Sequence, residues 1–240
     1  MRTTVIETAQ ALAEALRHTH AQLTTIRNDL NALIGLKVDE VNTLARQIAD
    51  LNKQIVTIKA AGMSPNDLLD RRDLLLDELG KIVAIEVEPV TVDRGGETYD
   101  TGAVKVKLRE VTVTIDSEPV PVVLVDWDDQ AKSAVVKDLK VEETSDPLLG
   151  TPIYRVYWLG DDDQETLPPD KLYGELGGLF YARDDLLRDE YLTKLDDFAT
   201  ALASEVNAVH AGGRGLDGDT GRPFFVKDAE GSVQDQLHQV

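Results

Sequence analysis

Ser64-Pro65-Asn66-Asp67-Leu68-Leu69-Asp70-Arg71-Arg72-Asp73-Leu74-Leu75-Leu76-Asp77-Glu78-Leu79 decides how the rest of this 240-residue chain is parsed. Proline has a fixed φ and no N–H to lose, so Pro65 suits the first helical position. Ser64 is then the expected N-cap, and Asp67 lies near the positive end of the helix dipole. Leu68, Leu69, Leu75, Leu76 and Leu79 form the apolar face, and Gly80 is the expected C-cap. A helix therefore starts and stops here, and the hydrophobic period changes on either side of it.

Upstream, Val5, Ala9, Leu12, Leu16, Thr19, Leu23, Ile26, Leu30 and Leu33 alternate steps of four and three, which is one helical stripe. Near Gly35 the apolar pattern slips by a residue and resumes as Ile34, Val38, Val41, Leu44, Ile48, Leu51, Ile55 and Ile58, predicting a rotated seam or a bend. Ala60-Ala61-Gly62-Met63 closes the helix. About 56 residues at 1.5 Å rise make a rod of about 84 Å, which needs partners along its length.

Downstream, the period becomes two. Val83, Ile85 and Val87 alternate with Glu86 and Glu88, and Val104, Val106 and Leu108 with Lys105, Lys107 and Arg109. A further strand carries Val111, Val113 and Ile115, and a last one Tyr154, Val156 and Trp158. Turns are expected at Asp93-Arg94-Gly95-Gly96, Ser117-Glu118-Pro119 and Asp126-Trp127-Asp128-Asp129. Leu167-Pro168-Pro169 marks a boundary. A third long helix follows from about Gly174 to His210, with a stripe through Leu176, Leu179, Leu186, Leu187, Leu192, Leu195, Phe198, Leu202, Val206 and Val209, and Gly212-Gly213 ends it.

These elements predict an α+β fold: an elongated antiparallel helical bundle carrying an inserted small antiparallel β domain. The expected domains are a discontinuous helical rod (1–81 plus 170–225), the β insertion (82–169) and a C-terminal tail (226–240).

Composition narrows the function. Forty-four acidic against 25 basic residues give a net charge of -19, which disfavours nucleic acid and anionic membrane surfaces as partners. There is no cysteine, so disulfides, thiolate metal sites and cysteine nucleophiles are excluded, and the chain can pass between redox environments. No apolar run approaches the ~20 residues of a membrane span, and the N-terminus lacks the apolar core of a secretory signal. His18, His20, His210 and His238 include no i, i+4 pair for a metal. Asp161-Asp162-Asp163, Asp126 with Asp128 and Asp129, and Asp217-Gly218-Asp219-Thr220-Gly221 lack a full calcium-loop pattern, so acidic turns are expected there. Nucleophile elbows, zinc-protease motifs and phosphate loops are absent from the sequence. No enzyme activity and no cofactor are expected.

Three blocks resemble the flagellar hook-associated protein 1 family, the hook–filament junction proteins. Val38 to Ile55 is similar to that family's long N-terminal helix, and Pro65 to Leu79 to its PNDLLDxRDxLLDEL helix. Gly174 to Asp184, Asn207, His210, Gly215 to Asp219 and Phe224-Phe225 are similar to the segment that returns to the bundle. The resemblance implies a structural subunit of the bacterial flagellum, exported by the flagellar secretion apparatus. It would assemble as a ring of copies between hook and filament, outside the cell. The implied partners are copies of itself, the hook protein, the adjacent junction protein and an export chaperone. The chain is expected to be the middle of such a protein, lacking the family's terminal assembly helices, and to be monomeric by itself. The alternative is a surface-exposed binding module whose β domain recognises an external ligand.

The motif residues carried by the resemblance are Asn42, Asn52, Pro65, Asn66, Asp67, Arg72, Asp73, Gly174, Glu175, Gly177, Gly178, Arg183 and Asp184. Asn42 and Asn52 fall beside the seam, where a buried amide would fix register, although exposed or edge positions fit equally. For Pro65 to Asp73, a helix start with local ion pairing is favoured over an intersubunit site. Gly174, Gly177 and Gly178 are expected to let a helix start approach another backbone closely.

Overall fold

The structure, a computed structural model, describes residues 2–160, 164–215, 218–227 and 233–235. It forms two compact units, one of residues 30–182 and one of residues 1–29 with 183–240. The class is α+β, as the change of period predicted. Helix α1 (Arg2–Ala60) contributes its first half to the smaller unit and its second half to the larger.

In the unit of residues 30–182, α1 is followed by α2 (Asn66–Ile82) and seven strands: β1 (Ile85–Arg94), β2 (Glu97–Ile115), β3 (Glu118–Asp128), β4 (Ser133–Val136), β5 (Leu139–Ser145), β6 (Pro152–Leu159) and β7 (Gln164–Thr166). Both sheets are antiparallel and sequential, in the orders β1-β2-β3-β4 and β5-β6-β7. A 3-10 turn (Pro169–Lys171) leads into α3 (Gly174–Tyr181). One core joins these elements. Ile34, Val38, Val41, Ala45 and Ile48 of α1 pack with Leu79 of α2, Val106 and Leu108 of β2, Leu124 of β3, Val156 and Trp158 of β6, and Leu176 and Phe180 of α3.

The helical chain continues as a π-helical stretch (Ala182–Leu192), which from Arg183 belongs to the other unit, and there as α4 (Thr193–Ala211), followed by a small hairpin of β8 (Phe225–Lys227) and β9 (Val233–Asp235). The expected third helix is thus not uniformly α. Arg183, Leu187 and Leu192 are all buried. The five-residue step from Leu187 to Leu192 would turn an α-helix by about 500°, throwing Leu192 off the face. Winding with i→i+5 bonds keeps both leucines inward.

The slip expected at Gly35 does not occur. Buried or half-buried positions run through Ile6, Ala9, Ala13, Leu16, His20, Leu23, Arg27, Asn31, Ile34, Val38, Val41, Ala45, Ile48, Asn52 and Ile55 in unbroken steps of three and four. Arg27, Asn31 and Asn52 fill inward positions with polar side chains. An apolar-only reading skips the first two and locks onto the adjacent column instead, so Val5, Leu12, Ile26 and Leu33 prove exposed.

Smaller boundaries also move. Pro65 is itself the cap residue of α2, its carbonyl accepting from Leu68 and Leu69, and no side chain caps the helix. Gly80 lies inside α2, which ends at Ile82 with Val83 as its C-cap. The two expected strands at 104–108 and 111–115 are one strand, β2, irregular near Glu110, whose φ is +60°. The turn expected at Asp126 to Asp129 falls after Asp128, beyond the end of β3.

Candidate functional site: side-chain amides that dock strands on the long helix

α1 presents a ladder of asparagines to the strands of its unit. Asn52 Nδ2 donates to the Val104 carbonyl (2.7 Å) and its Oδ1 accepts from the Val104 N–H (3.1 Å). Asn42 does the same for Leu139 at the start of β5, 2.8 Å in each direction. Asn31 donates to the Pro152 carbonyl and accepts from the Tyr154 N–H, both 3.2 Å. A side-chain amide carries a donor and an acceptor at the spacing of a peptide group, so each asparagine completes a backbone as a neighbouring strand would. At Val104 the reason is visible: the β2–β3 pairing reaches only Val106, so Asn52 serves the backbone groups that β3 leaves.

Arg72 reinforces the Asn52 rung. From α2 its Nη1 donates to the Gly102 carbonyl (2.6 Å) and to Asn52 Oδ1 (3.2 Å). Arg72 is therefore long-range and buried, not the local ion pair expected. Burial pulls its guanidinium below the usual range, while Asp73 and Asp100 oppose that shift. Gly102 has a φ of +88°, and a Cβ there would lie 2.4 Å from Lys59 Cδ and 2.9 Å from Ile55 Cγ2, so only glycine lets β2 come this near α1. Asp100 closes the node. It accepts from Lys59 Nζ and from the Gly102 N–H, both at 2.8 Å, and the Lys59 bond is the main cause holding its carboxyl below the ordinary range.

The start of α3 is set by the other glycines. A Cβ on Gly174 would sit 2.8 Å from the carbonyls of Lys81 and Ile82, and one on Gly177 only 1.8 Å from the Leu172 carbonyl; Gly178 has nothing within 4 Å. Glu175 bonds Lys37 of α1 at 2.7 Å, raising the lysine's pKa together with Glu40. Pro65 is buried, whereas Asn66, Asp67 and Asp73 are exposed on α2. In the other unit, Arg183 is buried and grips Asp184 through Nε (2.8 Å) and Nη2 (2.7 Å), and Asn207 repeats the docking device, bonding the backbone of Phe224 and Phe225 at 2.7 to 2.8 Å.

The ladder unites Asn42, Asn52 and Arg72. The motif residues Asn66, Asp67 and Asp73 make no part of it. Asn31, Gly102 and Asp100 were not foreseen; polar residues at inward steps of three and four were the available signal for Asn31. Asp126 pairs with Lys105, Asp128 caps the following turn and Asp129 pairs with Lys132. Among the described residues no group of three or more His, Cys, Asp or Glu is placed to hold a metal ion. Asp161 to Asp163, Leu216, Asp217 and His238 lie outside the described residues.

Residues 1–225 match the family model described as the flagellar hook-associated protein FlgK helical domain. The chain belongs to the FlgK family. It is 33% identical over 228 residues to flagellar hook-associated protein 1 of Salmonella typhimurium, covering 93% of this chain and 36% of that protein. It is 31% identical over 229 residues to that of Escherichia coli, covering 94% and 37%. The flagellar hook junction protein FlgK from Burkholderia pseudomallei superimposes with a TM-score of 0.68 at 26% identity, covering 95% of this chain and 36% of that one. The chain thus spans little more than a third of the length of these FlgK relatives. Its fold matches that of the Burkholderia protein over 95% of this chain.

Proposed function

We propose that this chain serves as part of a structural subunit of the bacterial flagellum, assembling with copies of itself in a ring outside the cell as the adaptor between hook and filament. Hook protein, the neighbouring junction protein and an export chaperone are its partners, and it performs no reaction. The names of its FlgK relatives support the place. The physical support is an exposed apolar column on the first half of α1, whose Val5 and Leu12 open onto an apolar groove shared with Leu202, Val206 and Val209 of α4. Val5, Leu12, Thr19 and Ile26 recur every seven residues, and the three apolar ones remain between 39 and 59% exposed. Such a column is the seam of a helical assembly with one partner still to come.

The amide ladder supports the same reading: within residues 30–182 the strands are pinned to the second half of α1 at three levels, which fixes the β insertion to that part of the helix.

Replacing Leu12 and Ile26 by Asp in the full-length protein tests this in cells. Hooks should form but fail to retain filaments, while the purified chain unfolds near its usual denaturant midpoint. Normal filaments and swimming in cells deleted for the gene would overturn the placement.

A further inference from the structure

The sheet β5-β6-β7 meets α1 at two amide rungs, Asn42 on Leu139 and Asn31 on Pro152 and Tyr154. The rungs stand three helical turns apart, about 16 Å. At about 100° per residue, Gly35 lies within about 40° of both, so it sits on the ladder line with no side chain to fill it. An open cleft of about 490 Å³ results, bounded by Gly35, Val38 and Asp39 of α1 and by Val141, Glu143 and Tyr154 of the strands. Glu143 and Tyr154 are cross-strand partners and share the sheet face turned to it. A Cβ on Gly35 would lie 3.7 Å from Tyr154 Cε2, an ordinary contact. Crowding therefore does not demand glycine here; its effect is to leave the ring open to the cleft.

Asp39 and Glu143 are exposed, and neither carboxylate joins an ion pair among the described residues. Lys140, which also lines the cleft, is committed to Glu142 at 2.6 Å. Two uncommitted carboxylates, an aromatic ring and an apolar floor of Val38 and Val141 thus converge, in a chain of net charge -19. Each part matches a part of one side chain. The carboxylates suit a guanidinium's charge, the ring its planar face, and the floor its methylene stem. A cleft of several hundred Å³ accommodates more than a bare cation, so the guanidinium would arrive on a short stretch of polypeptide. We propose that this cleft receives an arginine side chain carried on a segment of a neighbouring protein chain.

The probe is a blocked glycine–arginine–glycine peptide titrated into the isotope-labelled chain. Amide shifts should saturate at Gly35, Asp39, Val141, Glu143 and Tyr154. The same peptide with citrulline keeps the shape without the charge and should leave them unmoved. Asp39→Asn with Glu143→Gln, both at exposed positions, should weaken binding at least tenfold. Gly35→Met, which lays a side chain over the Tyr154 ring, should abolish it with both carboxylates in place. Equal binding of the citrulline peptide, shifts scattered over the acidic surface, or no saturable shift would overturn the site. Free arginine, whose own carboxylate is repelled, should bind more weakly than the blocked peptide. Equal affinity would make this a small-molecule site and overturn the assignment to a protein segment.

Discussion

Asn52 holds three partners at once: the two backbone groups of Val104 and the guanidinium of Arg72. Asn52→Ala leaves all three in a buried place, and an unsatisfied buried group costs about 1–3 kcal/mol, more when charged. The expected loss is about 2–5 kcal/mol, read from urea unfolding; a change below about 1 would mean water replaces the amide without penalty. The α3 glycines give a matched pair. Gly177→Ala drives a methyl into the Leu172 carbonyl and should destabilise by more than about 2 kcal/mol. Gly178→Ala, with open space around it, should stabilise by up to about 1 kcal/mol through helix propensity. Equal effects would refute the close approach. Asp100 supplies a pH signature. Its folded pKa is depressed by Lys59, so its contribution is present above the ordinary carboxylate range and is lost as pH falls through the folded value. Asp100→Asn should therefore cost roughly 0.2–1 kcal/mol at neutral pH, the range for an exposed pair, and converge with the parent in acid. Asn42 and Asn52 were conspicuous in the sequence as amides beside an apolar seam. Arg72 stood out only as part of its helix motif; its buried role was not legible, because its partners lie 20 and 30 residues away and only the fold brings them near.

At the scale of elements, the change from helical to two-residue period around Leu79 and the return to helix after Pro169 were legible, since hydrophobic periodicity reports which face is buried. The phase of α1 was not. Leu12 and Ile26 outweigh Arg27 and Asn31 on any hydropathy count, yet the polar pair is buried and the apolar pair stays more than a third exposed. Substitution separates the columns: Ile34→Ala and Ile48→Ala should each cost about 2–5 kcal/mol, as buried large-to-small changes do, whereas Leu12→Gln should shift urea unfolding by less than about 1. A large loss at Leu12 would show that the chain alone already covers that face. The π stretch escaped notice for a related reason. Leu186, Leu187, Leu192 and Leu195 fit a helix of either winding, and only knowing that Leu187 and Leu192 share a face exposes the five-residue step.

Across the whole molecule, burial is uneven, and that has a thermodynamic consequence. Residues 30–182 hold the continuous core from Ile34 to Phe180, with Val41, Ile48, Leu79, Leu124 and Leu176 fully enclosed, whereas α4 contributes no fully buried residue and much of the first half of α1 faces outward. Stability follows apolar area removed from water, so the helices of the smaller unit gain least from folding and should open first. Hydrogen exchange of this chain should show amides of 195–206 exchanging well before those of β2 and β3, and urea unfolding followed by helix signal should begin below the transition seen at Trp127 and Trp158, both in the strand-bearing unit. Coincident transitions and uniform protection would mean the two units fold as one. If the exposed column of Val5, Leu12 and Ile26 is the seam of an assembly, joining copies must raise the lower transition more than the upper one, because that column lies in the smaller unit.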